Sequence, residues 1–408
     1  MRVLFLSFLL LGGVLACASS ASPQSDPGKA GLDAAKLAPL RGKMQEYADQ
    51  FQAAGIVTCV GRKGVMAHLE AVGWRDLEKK DAMKTDTLFR IASMTKPITG
   101  IAIMMCEDDG KLSVEDPVEK HLPEFKGQML VKSKSGNEVT LVKPPRPITL
   151  RDLLTHTSGL PGGPPPGLSD LYAKRNHTLA EAVMAFSQRP LDFEPGTKWA
   201  YCNAGIDTLG RVVEVCSGKP FEAFLQERLF GPLGMKDTAF YPTAESLART
   251  AELYQKDGAK LKRIESFIGD CPNGKFPLPA GGLYSTAADL AKVYQMMLDG
   301  GMSGGRRILS SASAEKMTTL QSGEIKTGFV DGMGWGFGFA VVREPKGVTE
   351  MLSPGSYGHG GAFGTQGWID PKKGMYFILM VQRAGFPNGD ASDLRKTLQS
   401  VAVAAINE

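Results

Sequence analysis

The chain has 408 residues, 43% of them hydrophobic and 22% charged, with a formal net charge of +4. That is the composition of a folded globular protein with enough apolar material for a sizeable core. So small a charge, with no long run of Lys and Arg, excludes a nucleic-acid-binding footprint.

Residues 1–18 read as an export signal. Met1-Arg2 is a short cationic start, Val3 to Leu15 is almost wholly apolar, and small residues follow. Two endings are open. Ala16-Cys17-Ala18 reads as a cleavage site, and Val14-Leu15-Ala16-Cys17 resembles a lipobox in which Cys17 would be lipidated. The expected location is therefore the periplasm, the medium or the cell envelope, with a membrane met only through an anchor at Cys17. No later apolar run approaches the roughly 20 residues of a spanning helix.

Residues 19–31 read as a polar tether rich in Pro, Gly and Ser, and residues 32–408 as one domain. Leu37, Leu40, Met44, Tyr47 and Phe51 recur at helical spacing. Ile56–Val60 and Val65–Val72 flank Gly61-Arg62-Lys63-Gly64 and predict a hairpin. Helical patterns follow near 98–109, 151–155, 178–187, 203–216, 220–229 and 286–299, separated by Pro- and Gly-rich loops. Two of those loops, 143–147 and 161–170, are candidates to line a pocket. Gly334–Val342, Gly364–Ile369 and Met375–Gln382 predict strands, and a last helix carries Leu394, Leu398, Val401 and Ala405. These elements imply an α+β fold. Both chain ends build one antiparallel sheet flanked by helices (32–85 and 334–408). A mainly helical lobe (86–333) lies beside it, with a cleft between the two.

Of six cysteines, loss or lipidation of Cys17 leaves five, and no C-x-x-C pair suggests zinc. Cys59 and Cys106 lie in apolar stretches and read as buried thiols rather than a disulfide framework.

Three short patterns carry the chemistry. Ser93-Met94-Thr95-Lys96 follows a short extended run and opens an apolar helix, with Pro97 in its first turn. Ser93 therefore sits at a helix N-terminus, and Lys96 shares its face. A desolvated lysine has a lowered pKa and accepts a serine proton. A second match, Ser313-Ala314-Glu315-Lys316, lacks that frame and reads as an exposed helix start. Tyr201-Cys202-Asn203 opens the helix from Asn203 to Cys216. Its tyrosine reads as a phenolate, a proton relay or a packing residue. His359-Gly360-Gly361 reads as the start of a strand whose glycines admit a substrate closely, or as a bend with a surface histidine.

In this order, the three patterns resemble the serine β-lactamase and penicillin-recognising superfamily. The branch indicated holds class C β-lactamases, family VIII carboxylesterases, D-aminopeptidases and DD-carboxypeptidases. Leu153–Leu160, Phe230–Thr238 and Gly281–Thr286 match as well. The resemblance implies Ser93 as nucleophile, Lys96 as its base and Tyr201 as the relay that protonates the leaving group. It implies Asn203 bonding Lys96 and a substrate amide, with His359, Gly360 and Gly361 along the substrate. The backbone N–H groups of Ser93 and Ala362 would form the oxyanion hole. No metal and no organic cofactor are implied, and the oligomeric state is open. His359 stands where class C β-lactamases carry the lysine of Lys-Thr-Gly, and Gly360 lacks the threonine hydroxyl. Both changes weaken a grip on a β-lactam carboxylate. The expected activity is hydrolysis of small esters, D-amino-acid amides or peptides through an acyl-enzyme. A class C-like β-lactamase or DD-peptidase is the first alternative. A non-catalytic envelope lipoprotein of the same fold is the second. Glu194, in a Phe-x-Pro-Gly turn, reads as structural.

Overall fold

The computed structural model describes residues 25–386 and 389–407. The export signal and Cys17 lie outside the described residues. Eight strands form the main sheet: β1 (Gly55–Arg62), β2 (Val65–Asp76), β3 (Asp81–Ala82), β4 (Met333–Trp335), β5 (Ala340–Val342), β6 (Tyr357–Gly360), β7 (Gln366–Asp370) and β8 (Met375–Met380). Their order is β4-β5-β6-β7-β8-β1-β2-β3, so the two chain ends meet where β8 pairs with β1. Every pairing is antiparallel.

The continuous apolar run of β8 is explained by burial on both faces. Ile378 and Met380, with Val57 and Cys59 of β1, face one core. Phe377 and Leu379, with Ile56 and Val60, face the other. Five helices organise these cores: α1 (Pro39–Asp49), α2 (Thr95–Asp108), α3 (Asn203–Ser217), α4 (Ala287–Leu298) and α5 (Asp393–Ala404). Leu40 and Met44 of α1 and Leu394 and Leu398 of α5 fill the core shared by the terminal segments. Helices α2, α3 and α4 belong to the other core. Residues Thr95–Cys106 of α2 are all buried, which marks it as the central helix of the molecule.

Several expectations needed correction. The run 334–342 is not one strand but the hairpin β4–β5, because Gly338 turns the chain at φ +78° against the Lys96 carbonyl. His359 lies inside a strand, β6, rather than at the start of one. The next strand starts at Gln366, after a turn closed by Gly364 N–H donating to Gly361 O. The helix expected through 220–229 passes into a π-helical turn over Gln226–Phe230. An exposed hairpin, Leu130–Ser135 with Glu138–Val142, was not anticipated. The end of the presumed tether is docked: Ala30 is buried, and Arg62 donates to its carbonyl at 3.1 Å. The five described cysteines are free thiols. Among the described residues no helix is long and apolar enough to cross a membrane.

Candidate active site

The turn that carries Ser93 is fixed from both sides. Phe89–Arg90 pairs with Tyr284–Ser285, and Ile91 N–H donates to Leu283 O at 3.0 Å. Ala92 then takes φ +45°, a left-handed conformation that an alanine adopts only when its surroundings impose it. The 3-10 turn Ala92–Met94 delivers Ser93 to the entry of α2.

Lys96 is completely buried one turn on. Its Nζ donates to Ser93 Oγ at 3.1 Å and to Ala280 O at 2.7 Å. The ammonium also stands 4.6 Å from the centre of the Tyr201 ring. Burial pushes its pKa down to about 7, and the nearby Asp207 opposes that shift. Asp207, on α3, is equally buried, and burial raises its carboxyl above the usual range. Its Oδ1 accepts the Ala280 N–H at 2.8 Å. One residue, Ala280, thus links the buried acid to the buried base through its N–H and its carbonyl.

Tyr201 reaches both neighbours. Its hydroxyl lies within hydrogen-bonding reach of Ser93 and 3.5 Å from His359 Nε2. Burial pushes its pKa upward, so the resting side chain is a neutral phenol and the phenolate reading falls away. His156 holds it from behind. Its ring centre lies 4.6 Å from that of Tyr201, and its Nδ1 accepts the Cys202 N–H at 3.1 Å.

His359 Nδ1 lies 2.6 Å from Gly360 O. A carbonyl only accepts, so Nδ1 carries the hydrogen and Nε2 presents a lone pair to the cavity. Burial, reinforced by the charge of Lys96, pushes the His359 pKa down to about 3. The ring is neutral across the physiological range. Gly361 permits the end of β6 to seat against the turn that carries Ser93. A Cβ there would stand 2.5 Å from Ile91 O and collide with Thr365 Oγ1.

A cavity of about 470 Å³ joins these groups. Ser93, Tyr201, His359, Gly360, Gly361 and Ala362 line it, together with Phe329, Phe386 and Asp390. A larger neighbouring cavity of about 670 Å³, along residues 326–333 and 346–348, contains none of the six. Asn203 is not among the lining residues, and its expected bond to Lys96 is not formed; the Ala280 carbonyl occupies the lysine instead. Half-buried in the first turn of α3, it stands beside the site.

The second Ser-x-x-Lys lies in a short helix, but its serine is buried rather than exposed. Ser313 donates to Asp108 at 2.6 Å and Lys316 pairs with Glu107 at 3.1 Å, both without contact to the cavity. Residues 143–147 line a separate cavity of about 260 Å³ with Phe125. Gly162 packs beneath the Tyr201 carbonyl, so the 161–170 loop supports the site without lining it. Glu194 is exposed, and its carbonyl accepts the Thr197 hydroxyl at 2.7 Å. Among the described residues no cluster of three metal-capable side chains occurs. Sequence reasoning missed Asp207, Ala280, His156 and Asp390. Only Asp207 left a usable signal: a carboxylate inside an otherwise apolar helix face, one turn after Asn203.

Known proteins match this arrangement over most of its length. The beta-lactamase family model matches residues 40–402. Protein Rv1367c of Mycobacterium tuberculosis (strain ATCC 25618 / H37Rv) is 32% identical over 369 residues, covering 86% of this chain and 90% of that protein. Esterase EstB of Burkholderia gladioli is 29% identical over 386 residues, covering 88% and 94%. The solved structure of EstCE1, a hydrolase with promiscuous acyltransferase activity, has a TM-score of 0.75 at 25% identity and covers 91% and 99%. With a buried lysine on its candidate nucleophile and this span of similarity, the chain is a serine hydrolase and belongs to the beta-lactamase family.

Proposed function

We propose that the protein hydrolyses small carboxylic esters, or amides of D-amino-acid type, through an acyl-enzyme on Ser93. The observation that carries this reading is the 3.1 Å contact between Ser93 Oγ and a fully buried Lys96. A neutral Lys96 takes the Ser93 proton as Oγ adds to the substrate carbonyl. The negative charge developing on that carbonyl oxygen is met by the N–H groups of Ser93 and Ala362. Loss of one such donor costs about 100- to 1000-fold in rate. The tetrahedral intermediate collapses to the acyl-enzyme as its leaving group takes the proton returned through Tyr201. Water then attacks the acyl carbonyl and gives its proton to the same relay; the bond from Ser93 Oγ to the acyl carbon breaks, Oγ takes that proton back, and the acid is freed. Tyr201 suits the relay because its neutral hydroxyl stands between Ser93 and the His359 acceptor.

Ester or amide hydrolysis is favoured over β-lactam hydrolysis because His359 is neutral and supplies no fixed cation for a β-lactam carboxylate. The similarity to an enzyme named as an esterase supports the same choice. The test is intact-mass analysis after treatment with a fluorophosphonate, on wild type and on Ser93→Ala. One adduct on the wild type and none on the variant is expected. Equal labelling of both would move the nucleophile elsewhere.

A further inference from the structure

The cavity that holds Ser93 carries a carboxylate to which the hydrolase reading gives no task. Asp390 lines it, half-buried, just ahead of α5. Its Oδ1 accepts from the neutral Gln366 amide at 3.1 Å. That oxygen stands where a side chain at position 360 would project, since a Cβ on Gly360 would collide with it. No lysine or arginine is among the residues lining this cavity.

One buried cation, Arg395, feels the charge of Asp390 but makes no hydrogen bond to its carboxylate. Arg395 is buried beneath the floor, where its guanidinium lies 3.8 Å from the centre of the Trp368 ring. It donates through Nη1 to the main-chain oxygen of Asp390 at 2.6 Å, not to the carboxylate. With Trp368 and Asp390 it lines an inner cavity of about 20 Å³. That is room for about one water molecule and too little for a substrate carboxylate. The remaining polar side chains at the wall are the Ser93 and Tyr201 hydroxyls and the neutral His359, whose Nε2 accepts. Among the described residues, the side chains of this cavity therefore offer two hydroxyls, one imidazole acceptor and one negative charge, and no cation.

We propose that Asp390 makes this a hydrolase selective for substrates with a positive charge, such as a free ammonium group, and excludes those with a carboxylate. The inference rests on the ester or amide hydrolase reading above and names the substrate class that reading leaves open. The ammonium would donate to the free carboxylate oxygen of Asp390 while the acyl carbon sits at Ser93. A substrate carboxylate on that side of the cavity would be repelled by Asp390.

The test uses three matched p-nitrophenyl esters with six-carbon acyl chains: 6-ammoniohexanoate, hexanoate and adipate monoester. For charges several ångströms apart in a partly solvated cavity, each step should change kcat/KM by roughly fivefold or more. The expected order in wild type is cation above neutral above anion, and raising ionic strength should compress it. In Asp390→Asn the cation-to-anion ratio should collapse towards one. Melting curves of wild type and variant accompany the rates, and the salt dependence of the wild type gives a reading that needs no variant. Turnover of all three esters without this order, or with an order that survives Asp390→Asn, overturns the inference and leaves the hydrolase reading standing. Preference for the adipate ester would overturn it in favour of Arg395 as the governing charge. No turnover of any ester would overturn the hydrolase reading and this inference with it.

Discussion

Replacement of Gly361 by alanine tests whether β6 is seated against the turn that carries Ser93. Gly361 does not have a left-handed φ, so an alanine adopts its backbone without conformational strain. The added Cβ would lie 2.5 Å from Ile91 O, whereas an ordinary contact begins near 3.4 Å, so strand and turn must separate by about 0.9 Å. Ile91 cannot yield alone, because its peptide runs directly into Ala92 and Ser93 and its oxygen also accepts from Thr365 Oγ1 at 3.3 Å. The displacement therefore moves Ala362 relative to Ser93. A misplacement of about 1 Å at reacting groups costs on the order of 100-fold in rate. Overpacking of this kind costs about 1–3 kcal/mol in stability. The assay is kcat/KM on a p-nitrophenyl ester, with the fluorophosphonate labelling rate as a second readout, both well below the melting temperature. Gly42→Ala is the control. It lies exposed on α1 with nothing within 4 Å of its Cβ, and should gain about 0.5–1 kcal/mol without touching activity. A Gly361→Ala enzyme within about threefold of wild type, at an unchanged melting temperature, would refute the seating argument.

Other consequences follow from the same contacts. Lys96 must be neutral to accept the Ser93 proton, so kcat/KM should fall as pH drops through its lowered pKa of about 7, approaching tenfold per pH unit. His359, pushed down to about 3, should add no limb above pH 5, and a pH profile read down to that point checks both. Asp207→Asn keeps an oxygen for the Ala280 N–H but removes the charge that opposes the lysine's shift. The acid limb should move to lower pH, and an unmoved or raised limb would show that Asp207 does not act on Lys96. Ser313→Ala removes the 2.6 Å bond to Asp108 and should cost about 1 kcal/mol in thermal or urea unfolding, with ester turnover unchanged.

What could be read from the sequence was whatever is carried by neighbours along the chain. The run Met375–Val381 and the hairpin around Gly61–Gly64 are local patterns, and the sheet assembles from them. Ser93 and Lys96 are one helical turn apart, so their contact is already implied by spacing. What spacing cannot carry is a meeting of distant main-chain atoms. The partner of Lys96 that displaces the Asn203 assignment is a carbonyl 184 residues away, at Ala280. A backbone acceptor leaves no mark on residue type, so no motif could name it. His156 is similar: it was visible within a matching stretch, but its contact with Tyr201 arises only when the 156 and 201 segments fold together. The division of 334–342 into two strands followed from Gly338, whose left-handed φ reads as a turn only once the Lys96 carbonyl is seen beside it.

The two lobes divide the work at the cavity. Ser93, Lys96, Tyr201, Asp207 and Ala280 all come from the helical segment, where burial shifts the proton affinities of Lys96 downward and of Tyr201 upward. His359, Gly360, Gly361, Ala362 and Asp390 come from the end of the sheet and its connection to α5, where they line the cavity. A change at the sheet edge can therefore alter which charge is admitted while the Ser93–Lys96 pair stays intact. The limit on that freedom is electrostatic. Lys96 helps hold His359 neutral, so by reciprocity a cation at position 359 would make the lysine a weaker base. A neutral histidine spares Lys96 that penalty, and among the described residues lining the cavity no lysine or arginine pairs with Asp390.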